Sequence, residues 1–406
     1  MEPCIACGHT TIDQFLDLGK TALANKFITK SDLNNTEPMY PLVVGCCQSC
    51  GHVQLINRVN PDTMFEDYLY ISSLSTTLVE HLNQLAETVV KKFNLKRGEL
   101  VVDVGSNDGT LLKAFKKKGQ NTIGVDPAKN LISLAEENGI ETVNAYFGFD
   151  SARRITEQYG KASIITATNV FPHIHDFSEF VKGINLLLSP GGALVIEAHY
   201  LNDLITKCAF DTIYHEHVSF WSVSGAKTMF NRHGFEIVDV ECLPIHHGQI
   251  RVFGKRMEEA EPSQNVYSIL SKEKKDKLID LVTLQEFAEN VAKIRESIID
   301  TLARLRKENK VVVGYGAPAK GNTLLTYLGI GRSKLPYIAD KSPLKQGKFT
   351  PGTHIPVVKP EVIFREQPDY VLILAWNFAD EIIRELDSYR RQGGKFILPV
   401  PKVKII

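Results

Sequence analysis

Two short cysteine pairs constrain this chain more than any other feature: Cys4-Ile5-Ala6-Cys7-Gly8 and Cys47-Gln48-Ser49-Cys50-Gly51. A Cys-x-x-Cys turn aims two thiolates at one point, and the glycine lets the chain fold back beneath the sulfurs. Two such knuckles supply the four soft, tetrahedral ligands that Zn²⁺ prefers, so Cys4, Cys7, Cys47 and Cys50 are expected to hold a zinc ion. A fourth thiolate leaves no open coordination position, which makes the metal structural. A redox Cys-x-x-Cys comes singly and in a βαβ setting that is absent here. Residues 1–74 thus read as a small zinc-binding domain, with a metal in place of a large core. Cys46, Cys208 and Cys242 are left over, an odd remainder that points to a reducing compartment.

The 406 residues allow two or three domains with ordinary cores. Lys+Arg and Asp+Glu both number 47, so the net charge is zero. That balance argues against a nucleic-acid partner or a polybasic membrane surface. The start, MEPCIACG, lacks a charged segment followed by an apolar run, and no stretch reaches the ~20 apolar residues of a membrane span. The expectation is a cytoplasmic monomer.

After the knuckles, the pattern turns to α/β. Leu78, Leu82, Leu85, Val89 and Phe93 mark a helix. Glu99 to Gly105 holds an apolar run that ends in Asp and Gly, as in a central parallel strand. Helices at 110–118, 131–138 and 177–188 then alternate with strands at 122–126, 162–167 and 193–198, the last preceded by a turn at Ser189-Pro190-Gly191-Gly192. Strands at 236–240 and 249–253 give an antiparallel finish. This is a doubly wound sheet spanning 75–257. Residues 258–309 carry a charged helical pattern (Leu278, Leu281, Phe287, Val291, Ile294) for one or two bridging helices. A second Rossmann-like unit follows, with strands at 310–316, 335–339, 370–374 and 395–399, so that 258–406 forms the third domain. The two α/β units share a fold type but no internal repeat.

Three clusters carry chemistry. Asp103-Val104-Gly105-Ser106-Asn107-Asp108-Gly109 is a glycine turn from strand to helix, where a ligand can approach the backbone. Asp126 ends the next strand, placed to accept two ribose hydroxyls, and Asn169-Val170 ends a later one. The turn lacks the G-x-G-x-x-G of a dinucleotide fold. It resembles the S-adenosylmethionine site of class I methyltransferases, which implies cofactor contacts from Asp103, Gly105, Asn107, Gly109, Asp126 and Asn169. Tyr214-His215-Glu216-His217, with His173 and His175, sets proton-handling groups at the carboxyl edge of the sheet. His-Glu-x-x-His spacing is missing, which disfavours a metal there. Tyr68 and Tyr70 precede the first helix of the sheet and can cover the pocket. Finally, Gly314 to Thr323 is a glycine-rich turn containing Lys320, suited to a diphosphate, and it is not a Walker A loop.

Taken together the chain resembles the sugar C-methyltransferases that build branched deoxysugars on nucleotide carriers. The resemblance rests on the two Cys-x-x-Cys-Gly knuckles, Leu23-Ala24-Asn25, Tyr68-Leu69-Tyr70 with Ser72-Ser73, Asp103-Val104-Gly105, and Asn169-Val170 with His173. Tyr214-His215-Glu216-His217 and Ala319-Lys320-Gly321-Asn322-Thr323 complete it. It implies a zinc domain, a central methyltransferase domain and a Rossmann-like domain that helps hold the nucleotide-sugar. Cofactors would be S-adenosylmethionine and structural Zn²⁺. The acceptor would be a TDP- or GDP-linked 4-keto-6-deoxyhexose, methylated at C3'. The resemblance assigns catalysis to His217, Glu216, Tyr214, His173 and Tyr68, and substrate contacts to Tyr70, Arg251, Gly316, Lys320 and Asn322. One departure stands out: His246-His247-Gly248-Gln249 stands where the family has histidine-glycine-glycine-serine.

The chemistry suits those residue types. A carbon beside a ketone loses its proton when a base is positioned and the enolate oxygen is stabilised. His217 is expected as base, Glu216 as the group that fixes its tautomer, and His173 and Tyr214 as enolate donors. An O-methyltransferase and a non-catalytic ligand-binding scaffold are the competing readings; the string from Tyr214 to His217 speaks for carbon and for catalysis.

Overall fold

The computed structural model describes residues 2–65, 68–245 and 248–406. Three sheets organise it. The first is antiparallel and built from β1 (Ile12–Thr21), β2 (Tyr40–Cys47) and β3 (Val53–Leu55).

The second sheet holds β4 (Leu100–Val104), β5 (Asn121–Asp126), β6 (Thr142–Asn144), β7 (Ala162–Thr168) and β8 (Leu188–His199). A short β9 (Ser219–Phe220) leaves it to pair with β3, adding a fourth strand to the first sheet. The chain then returns as β10 (Phe235–Leu243) and β11 (Gln249–Arg256). The order is β10-β11-β8-β7-β4-β5-β6, with β11 antiparallel to both its neighbours. β4 sits in the middle, and all five of its residues are buried, which is why it reads as apolar apart from Asp103.

β8 starts earlier than the sequence suggests. Residues 189–192 stay in the strand, and the expected turn is a register shift against β7, where Ala162 pairs with Leu188 and Ile164 with Ala193. The helix Phe149–Tyr159 and the three-residue β6 were not foreseen: the helix buries only Ser151, Ala152 and Ile155, too thin a stripe to stand out.

The helix Thr76–Lys92 packs Leu78, Leu82, Leu85, Ala86 and Val89 inward, and the Ser75 side chain caps it by accepting the Leu78 N–H. The 258–309 stretch forms two helices, Gln264–Lys275 and Leu281–Lys307. The longer one buries Leu284, Phe287, Val291, Ile294, Ile298, Leu302 and Leu305 along one face.

The third sheet contains β12 (Val312–Tyr315), β13 (Ile338–Ala339), β14 (Val357–Val358), β15 (Tyr370–Ile373), β16 (Lys395–Leu398) and β17 (Lys404–Ile405). Its order is β14-β13-β12-β15-β16-β17, parallel except for β17. One continuous apolar core links all three sheets, from Val44 through Phe171 to Leu372. Among the described residues, no helix is long and apolar enough to cross a membrane.

Candidate active site

The carboxyl ends of the second and third sheets line one cavity of about 560 Å³. Ligands of open parallel sheets bind at that edge, where strand-to-helix turns present free backbone groups. The walls include Asp103 to Asn107, Asp126, Asn169 and His173 from the second sheet. Gly316, Lys320, Asp340 and Lys345 come from the third, and Asn25, Tyr68 and Tyr70 from the N-terminal region.

The turn after β4 is shaped by close approach. Gly105 has φ +66°, and a Cβ there would sit 2.3 Å from Val170 Cγ2. The Asn107 N–H donates to Asp126 Oδ2 and the Ala128 N–H to Asp126 Oδ1, each at 2.9 Å. One donor per oxygen fixes the carboxylate and leaves each oxygen a further lone pair for a hydroxyl. Burial raises the Asp126 pKa, and the two N–H groups oppose that rise. Beneath it, Asp103 accepts the Thr166 hydroxyl at 2.6 Å. Burial pushes Asp103 up to about 7 against that hydrogen bond, helped by the Asp126 and Glu197 charges.

The same turn holds the strap that bears Tyr68 and Tyr70. Asn107 Oδ1 accepts the Ser72 N–H at 3.0 Å, and its Nδ2 donates to the Tyr70 carbonyl at 2.9 Å. Asp108 Oδ2 accepts the Ser73 N–H at 3.1 Å. Asn130 makes a reciprocal pair with the Tyr68 backbone, at 3.2 and 2.8 Å.

His217 has a defined tautomer. Its Nδ1 lies 2.8 Å from the Thr212 carbonyl, which can only accept, so Nδ1 carries the proton. Nε2 is therefore a lone-pair nitrogen, and it accepts the Tyr214 hydroxyl at 3.0 Å. The two rings lie in contact at a tilt of 34°, with centroids 4.1 Å apart. Burial lowers the His217 pKa to about 4, with the Thr212 carbonyl opposing and the Lys320 charge adding to the drop. The His173 ring lies 5.0 Å away and is also held far below the ordinary histidine value, chiefly by burial. Both imidazoles are neutral near pH 7.

At the third sheet, Gly316 has φ +80°, and a Cβ would meet the Ala375 Cβ at 2.7 Å. Lys320 Nζ sits 5.6 Å over the Trp376 ring, whose indole N–H donates to Asp211 Oδ2 at 2.6 Å. Lys345 Nζ donates to the Ala317 carbonyl at 2.9 Å and lies 5.4 Å over the Phe27 ring. Burial lowers both lysine pKa values, partly offset by Asp211 for Lys320 and by Asp340 and Glu216 for Lys345. Two buried ammonium groups on one wall suit an anion bearing more than one charge.

Away from this cavity, the Sγ atoms of Cys4, Cys7, Cys47 and Cys50 lie within 4.8 Å of one another. Cys4 and Cys50 are 3.6 Å apart, and Cys7 and Cys47 3.5 Å. A ZnS₄ tetrahedron with bonds of ~2.3 Å has edges of about 3.8 Å, so the cluster fits zinc. The Gly8 and Gly51 N–H groups donate to the carbonyls of Cys4 and Cys47 at 2.8 and 2.9 Å, folding each knuckle under its sulfurs.

Comparison with known proteins agrees with this geometry. Residues 4–65 match a zinc binding domain, 77–240 a methyltransferase domain, and 244–401 the C-methyltransferase C-terminal domain. The C-methyltransferase NovU of Streptomyces niveus is 35% identical over 407 aligned residues, spanning 100% of this chain and 97% of its own. The chain belongs to this C-methyltransferase family. It is an S-adenosylmethionine-dependent enzyme with a structural zinc site. A ubiquinone biosynthesis O-methyltransferase of Coxiella burnetii (strain Dugway 5J108-111) is 24% identical, over 37% of this chain and 69% of its own. A solved structure of the magnesium protoporphyrin IX methyltransferase ChlM from Synechocystis PCC 6803 with bound SAH covers 44% of this chain and 82% of its own. That alignment has a TM-score of 0.34 and 14% identity.

In this C-methyltransferase the expected site residues divide. Asp103, Gly105, Asn107, Asp126, Asn169, Tyr68, Tyr70, His173, Tyr214, His217, Gly316 and Lys320 all line the cavity. Gly109, Arg251, Asn322 and Glu216 stand outside that lining. Gly109 caps the helix Thr110–Lys117 at φ +76°. Arg251 is buried in ion pairs with Glu197 (2.6 Å) and Glu241 (2.7 Å), while His81 holds the other Glu197 oxygen at 2.7 Å. Asn322 donates to the Ala24 carbonyl at 2.7 Å, tying the third sheet's first helix to the N-terminal segment.

Glu216 does not orient His217; the Thr212 carbonyl does. Instead both Glu216 oxygens accept the Asn25 amide, at 2.8 and 2.9 Å. Burial raises Glu216 to about 7 against the Asn25 amide, the Tyr68 hydroxyl and the Lys345 charge. His246 and His247 lie outside the described residues. Gln249, beyond them, is buried and donates its amide to Asn169 Oδ1 at the cavity wall. Lys345, Asp340 and the Thr212 carbonyl were missed: no spacing or motif marks them, and they reach the cavity only through the fold.

Proposed function

We propose that this enzyme methylates the carbon next to the ketone of a nucleotide-linked 4-keto-6-deoxyhexose, at C3', in branched deoxysugar synthesis. The carrier is TDP or GDP. The observation that carries the reading is the His217 tautomer: a neutral imidazole, Nδ1–H pinned to a carbonyl, with its Nε2 lone pair on the same cavity as the Asp126 carboxylate and two lysines. In this reading residues 75–257 take S-adenosylmethionine and residues 258–406 take the nucleotide.

The methyl donor supplies an electrophilic methyl group. The chain's own groups prepare the acceptor carbon. His217 Nε2 accepts the proton alpha to the ketone, and in doing so releases the Tyr214 hydroxyl from its present hydrogen bond. That hydroxyl then donates to the enolate oxygen, with His173 as a second polar neighbour. Asp126 accepts the ribose hydroxyls of the donor, and Lys320 and Lys345 face the diphosphate of the acceptor. A bound diphosphate also neutralises the Lys320 charge that depresses His217, which makes the base stronger when substrate is in place.

The test is incubation with labelled S-adenosylmethionine and a panel of TDP-, GDP-, UDP- and CDP-linked 4-keto-6-deoxysugars, with NMR of the product. A new methyl group on carbon beside the ketone is the expected result. Methyl on oxygen, or no transfer to any member of the panel, overturns it.

A further inference from the structure

The Thr212 carbonyl fixes the His217 tautomer, and a main-chain carbonyl is only as well placed as the turn that bears it. That turn is the short 3₁₀ segment Phe210–Thr212, whose three residues are all buried. The two residues ahead of Thr212 both reach across to the unit built on the third sheet. Phe210 meets the Tyr327 ring edge-on, with centroids 5.7 Å apart, on the helix Ala319–Leu328. Asp211 is fully buried, and its Oδ2 accepts the Trp376 indole N–H at 2.6 Å, across 165 positions of sequence. Trp376 follows β15, and Lys320 stands over its ring.

No step of the proposed chemistry uses Asp211. Joining two units does not call for a buried acid, since an apolar pair of the same shape packs about as well. Burial raises the Asp211 pKa, against the Lys320 charge and the indole hydrogen bond. What the bond adds is direction. Packing of Phe210 alone leaves the turn able to rotate, whereas a hydrogen bond weakens steeply when misaligned and so sets the angle. Rotation of the turn swings the Thr212 carbonyl, the acceptor that keeps the proton on His217 Nδ1. Without that acceptor the proton is free to settle on Nε2, and the lone pair on the cavity is lost.

We infer that Asp211 is a positioning residue for the base: anchored by Trp376, it holds the Thr212 carbonyl where it keeps the His217 Nε2 lone pair available. The inference rests on His217 as base and goes further, because it makes the third sheet's unit a support for the base as well as a wall of the cavity.

The experiment is ¹⁵N NMR of histidine-labelled full-length protein without ligands, the His217 signals assigned by their loss in His217→Asn. Alongside it, alpha-proton exchange is measured with saturating TDP- or GDP-linked 4-keto-6-deoxyhexose, and S-adenosylmethionine affinity by calorimetry. Wild type should show Nδ1 protonated and Nε2 unprotonated. Trp376→Phe keeps an aromatic ring beneath Lys320 but removes the donor, and there the two tautomers should mix. Exchange should fall by about 10- to 100-fold, the cost of a misplaced group, while S-adenosylmethionine affinity holds. Asp211→Asn retains an acceptor for the indole and should keep the wild-type tautomer. Trp376→Phe combined with Asp211→Leu removes both partners, which should return stability toward wild type and still leave the tautomers mixed. A single Nδ1–H tautomer in that folded double variant overturns the inference, as does a mixture in Asp211→Asn. Absence of exchange in the wild type would remove His217 as base, while the tautomers still decide whether Asp211 positions its ring.

Discussion

The turn after β4 and the turn after β12 share a hydrogen-bond plan and carry opposite charges. Both run from a buried strand through a positive-φ glycine, Gly105 or Gly316, into a helix. Both tie a backbone N–H to the acid that ends the next strand. Around the first turn stand Asp103, Asp108 and Asp126; around the second, Lys320 and Lys345 join Asp340. A sulfonium ligand is drawn to the first set and repelled by the second, and a diphosphate the reverse. The backbone plan offers a place for hydroxyls, and the side chains decide which charged group may sit beside them.

Removing the zinc should affect both turns at once, and most severely. The N-terminal segment reaches each side of the cavity, through Asn25 to Glu216 and through the Ala24 carbonyl to Asn322. Elemental analysis should find one zinc per chain. Cys47→Ser should lower thermal stability and weaken both ligands together, since structural zinc contributes on the order of 10 kcal/mol to small domains. Loss of one ligand alone would show that the zinc unit serves only one side.

Next in size is His217→Asn, which should remove methyl transfer and also the solvent exchange of the alpha proton, with both ligands still bound. Deuterium uptake followed by NMR without methyl donor reads this directly. His173→Asn should cost about 10²–10³ in rate if it acts only as an enolate donor. Exchange at the wild-type rate in His217→Asn would move the base to Tyr214 or His173.

Two substitutions then test the division between the turns. Asp126→Ala should weaken S-adenosylmethionine about tenfold or more by calorimetry and leave nucleotide affinity alone. Lys320→Ala should raise the KM for the nucleotide-sugar by roughly tenfold, with donor affinity unchanged. A crossed effect in either variant would break the assignment of one ligand to each turn.

The smallest effect is in pH. Asp103 is raised in the folded protein to about 7, so folding takes up a proton between the ordinary aspartate value and neutrality. The Asp103 contribution to stability is therefore lost as the pH rises from about 4 to 7, with Glu216 acting in the same sense and the neutral His217 and His173 in the opposite one. Wild type should accordingly lose stability relative to Asp103→Asn across that range in ligand-free denaturation curves. A difference between the two proteins that is independent of pH would contradict the burial cost assigned to Asp103.

The local features were legible before any fold. The two knuckles, the Gly105 and Gly316 turns and the 3.6-residue period of Leu281–Lys307 each lie within a short window, where spacing alone carries the signal. The polar helix Phe149–Tyr159 and the bulge at the start of β8 were not legible, because neither leaves a periodic trace.

In the site, the sequence pointed to Asp126, Tyr214, His217 and Lys320 from their turns and their neighbours, and all four line the cavity. It did not foresee that Glu216 and Arg251 stand outside the cavity lining, held by partners from distant chain. Asn25 meets Glu216 across 191 positions, and Arg251 meets Glu197 across 54. Side chains at such separations meet only when the sheets are in register and packed. Sequence by itself determined the metal ligands, the order of the α/β units and the residue types at each strand end, because these depend on local geometry. The tertiary structure decided which of those groups share a cavity, which nitrogen of His217 bears the proton, and that Asp340 repeats Asp126. Those facts depend on hydrogen bonds that close only after distant segments are brought together.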